Sequence, residues 1–130
     1  MWACGVILLS FCAGRHPVFS LNNSSRITNF TISNLIPLTC LFGSDAIKEV
    51  AFKNGYGCLI PDEMQKERIP WAKICTRIPD EAAHDLLDKM LELNHAKRIE
   101  AAEVLDHRFF DEIRVEREAL DERQGMIRRA

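Results

Sequence analysis

The sequence predicts an all-α chain, and three observations carry that expectation. Apolar residues recur at helical spacing after Pro79, the charged tail places opposite charges four residues apart, and no stretch alternates apolar with polar as a half-buried strand would. At 130 residues, one domain at most fits the length.

The opening MWACGVILLSFCAG, residues 1–14, has no charge. It is short of the ~20 apolar residues that cross a bilayer. A secretory signal wants a basic region ahead of its apolar core. Here the first basic residue, Arg15, comes after it, although Cys12-Ala13-Gly14 would suit a cleavage site. Overlapping Asn-x-Ser/Thr triplets at Asn22 and Asn23, and another at Asn29, would be glycosylated in a secreted chain. The third reading is a buried helix, which needs a larger domain around it.

Residues 15–34 carry Pro17 and a polar Asn/Ser run, so the helix stops and a connector follows. Leu35–Phe42 is apolar. Gly43-Ser44-Asp45 then punctuates, and Ser44 or Asp45 is expected to cap a short helix through Ile47, Val50, Ala51 and Phe52, ended by Gly55 and Gly57. In residues 58–78, with two prolines, the buried candidates are Ile69, Trp71, Ile74 and Cys75.

After Pro79, Asp80 and Glu81 suit the positive end of a helix dipole, and Ala83, Leu86, Leu87, Met90 and Leu91 share one face. A shorter helix over Glu100–Leu105 ends at His107-Arg108-Phe109-Phe110. From Asp111 to Ala130 the tail reads as a solvated helix, with pairs such as Arg114 with Glu118 and Arg117 with Asp121.

Lys+Arg 17 against Asp+Glu 19 gives a net charge of -2, which argues against nucleic-acid binding by bulk charge. The charge is uneven: residues 1–60 hold four basic and two acidic side chains, residues 61–130 thirteen and seventeen. The five cysteines (Cys4, Cys12, Cys40, Cys58, Cys75) form no C-x-x-C pair and no zinc spacing. They read as core thiols of a reducing compartment.

Three segments, in order, carry a family likeness. Met1–Phe11 resembles a D-x-W-x-x-G-V helix lacking its Asp, and Gly14-Arg15-His16-Pro17-Val18-Phe19 resembles the G-x-x-P-F that follows it. Residues 85–94, Asp-Leu-Leu-Asp-Lys-Met-Leu-Glu-Leu-Asn, with Arg98 resemble a D-L-L-x-x-L-L segment and its downstream Arg. Glu103–Phe110 resembles an A-L-x-H-P-F-F ending. In this order the three resemble the C-terminal lobe of eukaryotic serine/threonine protein kinases. Pro37–Ser44 and the short helix after it resemble the branch of cell-division-cycle kinases that triggers DNA replication origins, with residues 58–78 standing in for a longer insert.

The resemblance implies the C-terminal helical half of a kinase large lobe over residues 1–110, and a charged helical tail over 111–130. It implies a parent that transfers phosphoryl from ATP, with magnesium, to protein Ser/Thr in cell-cycle or replication control. It assigns structural positions to Trp2 and Gly5 (packing of the central helix), Ile7 and Phe11 (support of the stacked spine beneath adenine) and Arg98 (partner of the Glu in an A-P-E segment absent here). Without that Glu, Arg98 is expected to be exposed or paired elsewhere. Glu100 stands where Ser or Thr usually caps the next helix.

The catalytic parts of a kinase are missing from the sequence. Gly55-Tyr56-Gly57 lacks its third glycine, with Ile60 in its place; Leu41-Phe42-Gly43 has Leu where magnesium needs a carboxylate; and His107-Arg108 is followed by Phe109 where a base is required. No catalytic, cofactor-binding or metal-ligating residue is assigned, and the chain alone is expected to be inactive. His84 and His95 are expected to be surface histidines.

The expected partners are the N-terminal part of the kinase domain and, in the parent, a protein substrate or regulatory subunit, with no nucleic acid and no membrane. The start one residue after the family's Asp suggests a truncated gene model or partial transcript. An intracellular location is expected, with the nucleus implied by the branch. The alternatives are a non-catalytic interaction module derived from a kinase lobe and a small secreted glycoprotein.

Overall fold

The structure, a computed structural model, describes residues 1–15, 38–57, 60, 62 and 65–129. It comprises α1 (Trp2–Ala13), α2 (Ser44–Lys53), α3 (Trp71–Ile74), α4 (Glu81–Met90), α5 (Ala101–Leu105) and α6 (Asp111–Arg129), with a 3-10 turn at Arg108–Phe110. Residues 38–42 are also helical, and no strand occurs among the described residues. The chain is all-α. The connector read at 15–34, apart from Arg15, lies outside the described residues, as do the triplets at Asn22, Asn23 and Asn29, the Pro17 segment and Cys58.

The first helix ends at Ala13, ahead of Pro17. Gly14 takes the left-handed conformation (φ 67°, ψ 24°), its N–H donates to Phe11 O, and Arg15 N–H donates to Ser10 O. These are the two reversed bonds of a Schellman ending, which satisfy terminal carbonyls and favour glycine. The Cys12 carbonyl accepts from Arg77 N–H at 2.9 Å, tying the end of α1 to the strap that leads into α4.

α4 forms as its pattern predicts. Asp80 is the N-cap, its carboxylate accepting from Ala82 N–H at 3.0 Å, and Ala83, Leu86, Leu87 and Met90 are buried along one face. That face packs on α1. Leu9, Cys12, Cys75, Leu87 and Leu91 are at its centre, and Trp71, Phe42 and Ile47 close it from the side. Each large apolar side chain buried there contributes ~1.5–3 kcal/mol. Phe42 meets Trp71 edge-on at 6.1 Å and Trp2 at 5.7 Å. A smaller cluster joins Leu86 and Met90 to Val104 of α5. Of the buried candidates in the preceding segment, Trp71 and Cys75 are buried, and Ile69 and Ile74 half-buried.

The cap of α2 differs from expectation. Gly43, not Ser44 or Asp45, is the N-cap, at φ 83°. The Ser44 hydroxyl accepts from Lys66 N–H at 2.8 Å, and Ser44 N–H donates to Lys66 O at 2.9 Å, so Ser44 is engaged by a distant strand of chain. A Cβ at Gly43 would lie 2.9 Å from Arg68 N, so backbone proximity as well as φ demands glycine.

At α5 the Glu103 carboxylate accepts from Glu100 N–H at 2.9 Å, the reciprocal half of a capping box. Glu100, standing where Ser or Thr usually caps, is thus supported from inside the helix. In α6, Arg114 pairs with Asp111 and donates to Leu105 O at 2.7 Å, in place of the expected Glu118 partner.

Candidate functional site

α1 has no charged residue, and its two faces differ only in what lies against them. On the inner face, Gly5 permits close approach: a Cβ there would lie 2.8 Å from Leu91 Cδ2 and 3.0 Å from Met90 Cβ. Leu9 and Cys12 continue that face at 0% exposure. On the outer face, Ile7 and Phe11 are 58% and 68% exposed, one helical turn apart. They form an apolar ridge between two recesses. One, of about 540 Å³, is lined by Val6, Ser10, Arg15 and Arg77; the other, of about 450 Å³, by Cys4, Leu8, Met90, Leu105 and Phe109.

At the N-terminal end of α1, the Arg98 guanidinium lies over the Trp2 ring at 5.1 Å and its Nε donates to Glu92 O at 2.9 Å. The charge is held by an aromatic face and a carbonyl, a geometry that suits a partly desolvated guanidinium. Trp2, Gly5 and Arg98 thus gather around the α1–α4 contact, while Ile7 and Phe11 point away from it.

The sequence did not reveal a polar cleft of about 580 Å³ between α4 and the 3-10 turn, lined by Asp85, Lys89, Lys97, Glu103, His107 and Arg108. His107 is 7% exposed. Its Nδ1 accepts from Phe109 N–H at 3.2 Å, which leaves the proton on Nε2, 2.8 Å from Asp85 Oδ2. Lys89 donates to the same oxygen at 2.9 Å. The Lys89 ammonium first, and the His107 ring second, hold the Asp85 carboxyl below its ordinary value. Through Asp85 Oδ2, which takes both the His107 Nε2 and the Lys89 contacts, the buried His107 ring fastens the turn to α4. Asp85 and His107 are 22 residues apart, a separation at which no local pattern could have paired them.

Cys12 and Cys75 sit side by side with 0% exposure. Burial, then the neighbouring Cys12, pushes the Cys75 thiol up to about 12, and burial raises Cys12 as well. Both are neutral at physiological pH and lack the thiolate a nucleophile needs. His95 is exposed as expected. His84 is half-buried, with Nε2 enclosed and without a hydrogen-bond partner among the described residues, a correction to the surface reading. It faced inward because it shares a turn with Ala83 and Leu87 on the packed side of α4.

No group of three His, Cys, Asp or Glu able to hold a metal occurs among the described residues. Leu41 of Leu41-Phe42-Gly43 is a buried core side chain, and Gly55 is a positive-φ turn in open space. No helix among the described residues is long and apolar enough to cross a membrane.

By sequence, this all-α arrangement of described residues belongs to a chain that is similar to cell-division kinases. The probable cell division control protein 7 homolog 2 of Encephalitozoon cuniculi is 29% identical over 88% of this chain and 32% of its own length. The cell cycle protein kinase spo4 of Schizosaccharomyces pombe is 29% identical over 93% of this chain and 30% of its own. The cell cycle serine/threonine-protein kinase hsk1 of the same yeast is 29% identical over 84% and 24%. The chain therefore spans about a third or less of the relatives it matches. No family model matches it.

Proposed function

We propose that these residues are the helical platform of a serine/threonine kinase acting in cell-cycle or replication control inside the cell, and that they do not transfer phosphoryl by themselves. The observation that carries this reading is the two-sided character of α1. Its inner face is locked onto α4 through Gly5, Leu9 and Cys12, while Ile7 and Phe11 stand exposed as an apolar ridge. A ridge flanked by two apolar recesses is poor as a free surface and good as a seat for further protein. In this proposal its occupant is the ATP-handling part of a kinase domain, which supplies the nucleotide, the magnesium and the catalytic base.

The expected result with purified chain, labelled ATP, magnesium and a protein acceptor is no label transfer. Robust ATP-dependent phosphorylation by the 130 residues alone would overturn the proposal.

A further inference from the structure

α6 is 19 residues long and buries none of them. Helices in proteins draw most of their stability from packing an amphipathic face, so this unburied stripe calls for a partner. Ile113, Leu120, Met126 and Ile127 are each more than half exposed on this helix. Ile113, Leu120 and Ile127 recur every seven residues, with Glu116, Ala119, Arg123 and Met126 filling the same stripe. Glu116 and Arg123 flank a shallow groove floored by Ala119 and Leu120.

We propose that this stripe pairs with the same stripe of a second copy of the chain, antiparallel. Charge chooses the orientation. Residues 111–120 carry four carboxylates against two guanidiniums, and residues 121–129 carry two against three, so the acidic end of one helix meets the basic end of the other. The helix dipoles then oppose as well. With the two-fold axis between positions 119 and 120, the registers agree throughout. Leu120 lies on the partner's Ala119, Ile113 meets the partner's Met126, and Glu116 meets the partner's Arg123. A parallel pair would set Glu116 beside Glu116 and Arg123 beside Arg123. Large-on-small packing at the centre and opposite charges either side of it are what a self-complementary antiparallel pair requires.

The pairing is tested on the full chain by sedimentation velocity over a concentration series, with circular dichroism to verify that each variant keeps its helices. Glu116→Arg and Arg123→Glu each place like charges across the axis twice, and each is expected to weaken self-association ~10–100-fold. An equimolar mixture of the two variants restores opposite charges at both contacts and is expected to return to wild-type association as a heterodimer. That rescue separates α6 pairing from any adhesion through the α1 ridge, which neither substitution touches. A monomeric wild-type chain throughout the series would overturn the proposal, as would association that neither single variant weakens or a mixture no tighter than its components.

Discussion

α1 and α6 are opposites in pattern and in fate. α1 is apolar on every side, offers no periodicity, and has half its surface packed; α6 has a clear stripe of apolar residues among charges, and packs none of them. Periodicity therefore reports which face a helix would bury, not whether a surface is there to receive it. In α1 the inner face is chosen by its smallest residue: Gly5 allows α4 to approach, and Leu9 and Cys12 follow one and two turns on. In α6 the charges keep the helix in water until something matches them.

The largest effect that would sharpen this contrast is cavity formation. Leu87→Ala in the α1–α4 core is expected to lower unfolding free energy by ~2–5 kcal/mol in urea titrations, whereas Leu120→Ala on α6, measured where the chain is monomeric, should change it by less than ~0.5 kcal/mol. Equal losses would break the comparison.

Next in size is overpacking at the point of closest approach. Gly5→Val sets new carbon atoms against Leu91 and Met90, with an expected cost of ~1–3 kcal/mol and a lower thermal midpoint.

A smaller effect is set by pH. The Cys75 thiol is raised from 9.0 to about 12 in the folded chain, so its contribution is intact below pH 9 and is lost as pH rises from there toward 12. Asp85 acts at the other end. Its folded value is depressed below 3.8, so its contribution is present above that value and fades as pH falls through the lower one. Cys75→Ala should flatten the alkaline side of a stability profile and leave the acid side unchanged; Asp85→Asn should do the reverse.

The smallest effect on stability is expected at the ridge. Ile7→Lys and Phe11→Lys remove exposed apolar groups, so the midpoint of unfolding should move by less than ~0.5 kcal/mol while solubility rises. A loss comparable with Leu87→Ala would mean that the ridge is already covered by this chain.

What the sequence made legible was local. The Ala83, Leu86, Leu87, Met90 face of α4 follows from spacing alone, as do the short helix after Glu100 and the long charged one after Phe110; Asp80, expected only to suit the helix dipole, is in fact the N-cap. What it concealed was set by partners far along the chain. Ser44 looked like a cap because serine usually is one, but its hydroxyl is taken by Lys66 N–H, and Gly43 had to open the helix instead. His107 reads only as the end of a short helix, because its partner Asp85 lies 22 residues away. The faces of α1 could not be told apart at all, since every position there is apolar or small. Its candidate residues, Ile7 and Phe11 on one side and Trp2 and Gly5 toward the other, came from family likeness; the geometry now separates them into an exposed ridge and a packed contact.

The most direct test of the central claim is the mass of the native polypeptide that carries these residues, read by immunoblot of native extract with an antibody raised to Asp111–Arg129. If α1 is the seat of an ATP-handling half, the band runs several times heavier than 14.9 kDa. A single band at 14.9 kDa would contradict it, leaving the Ile7–Phe11 ridge without the occupant proposed for it.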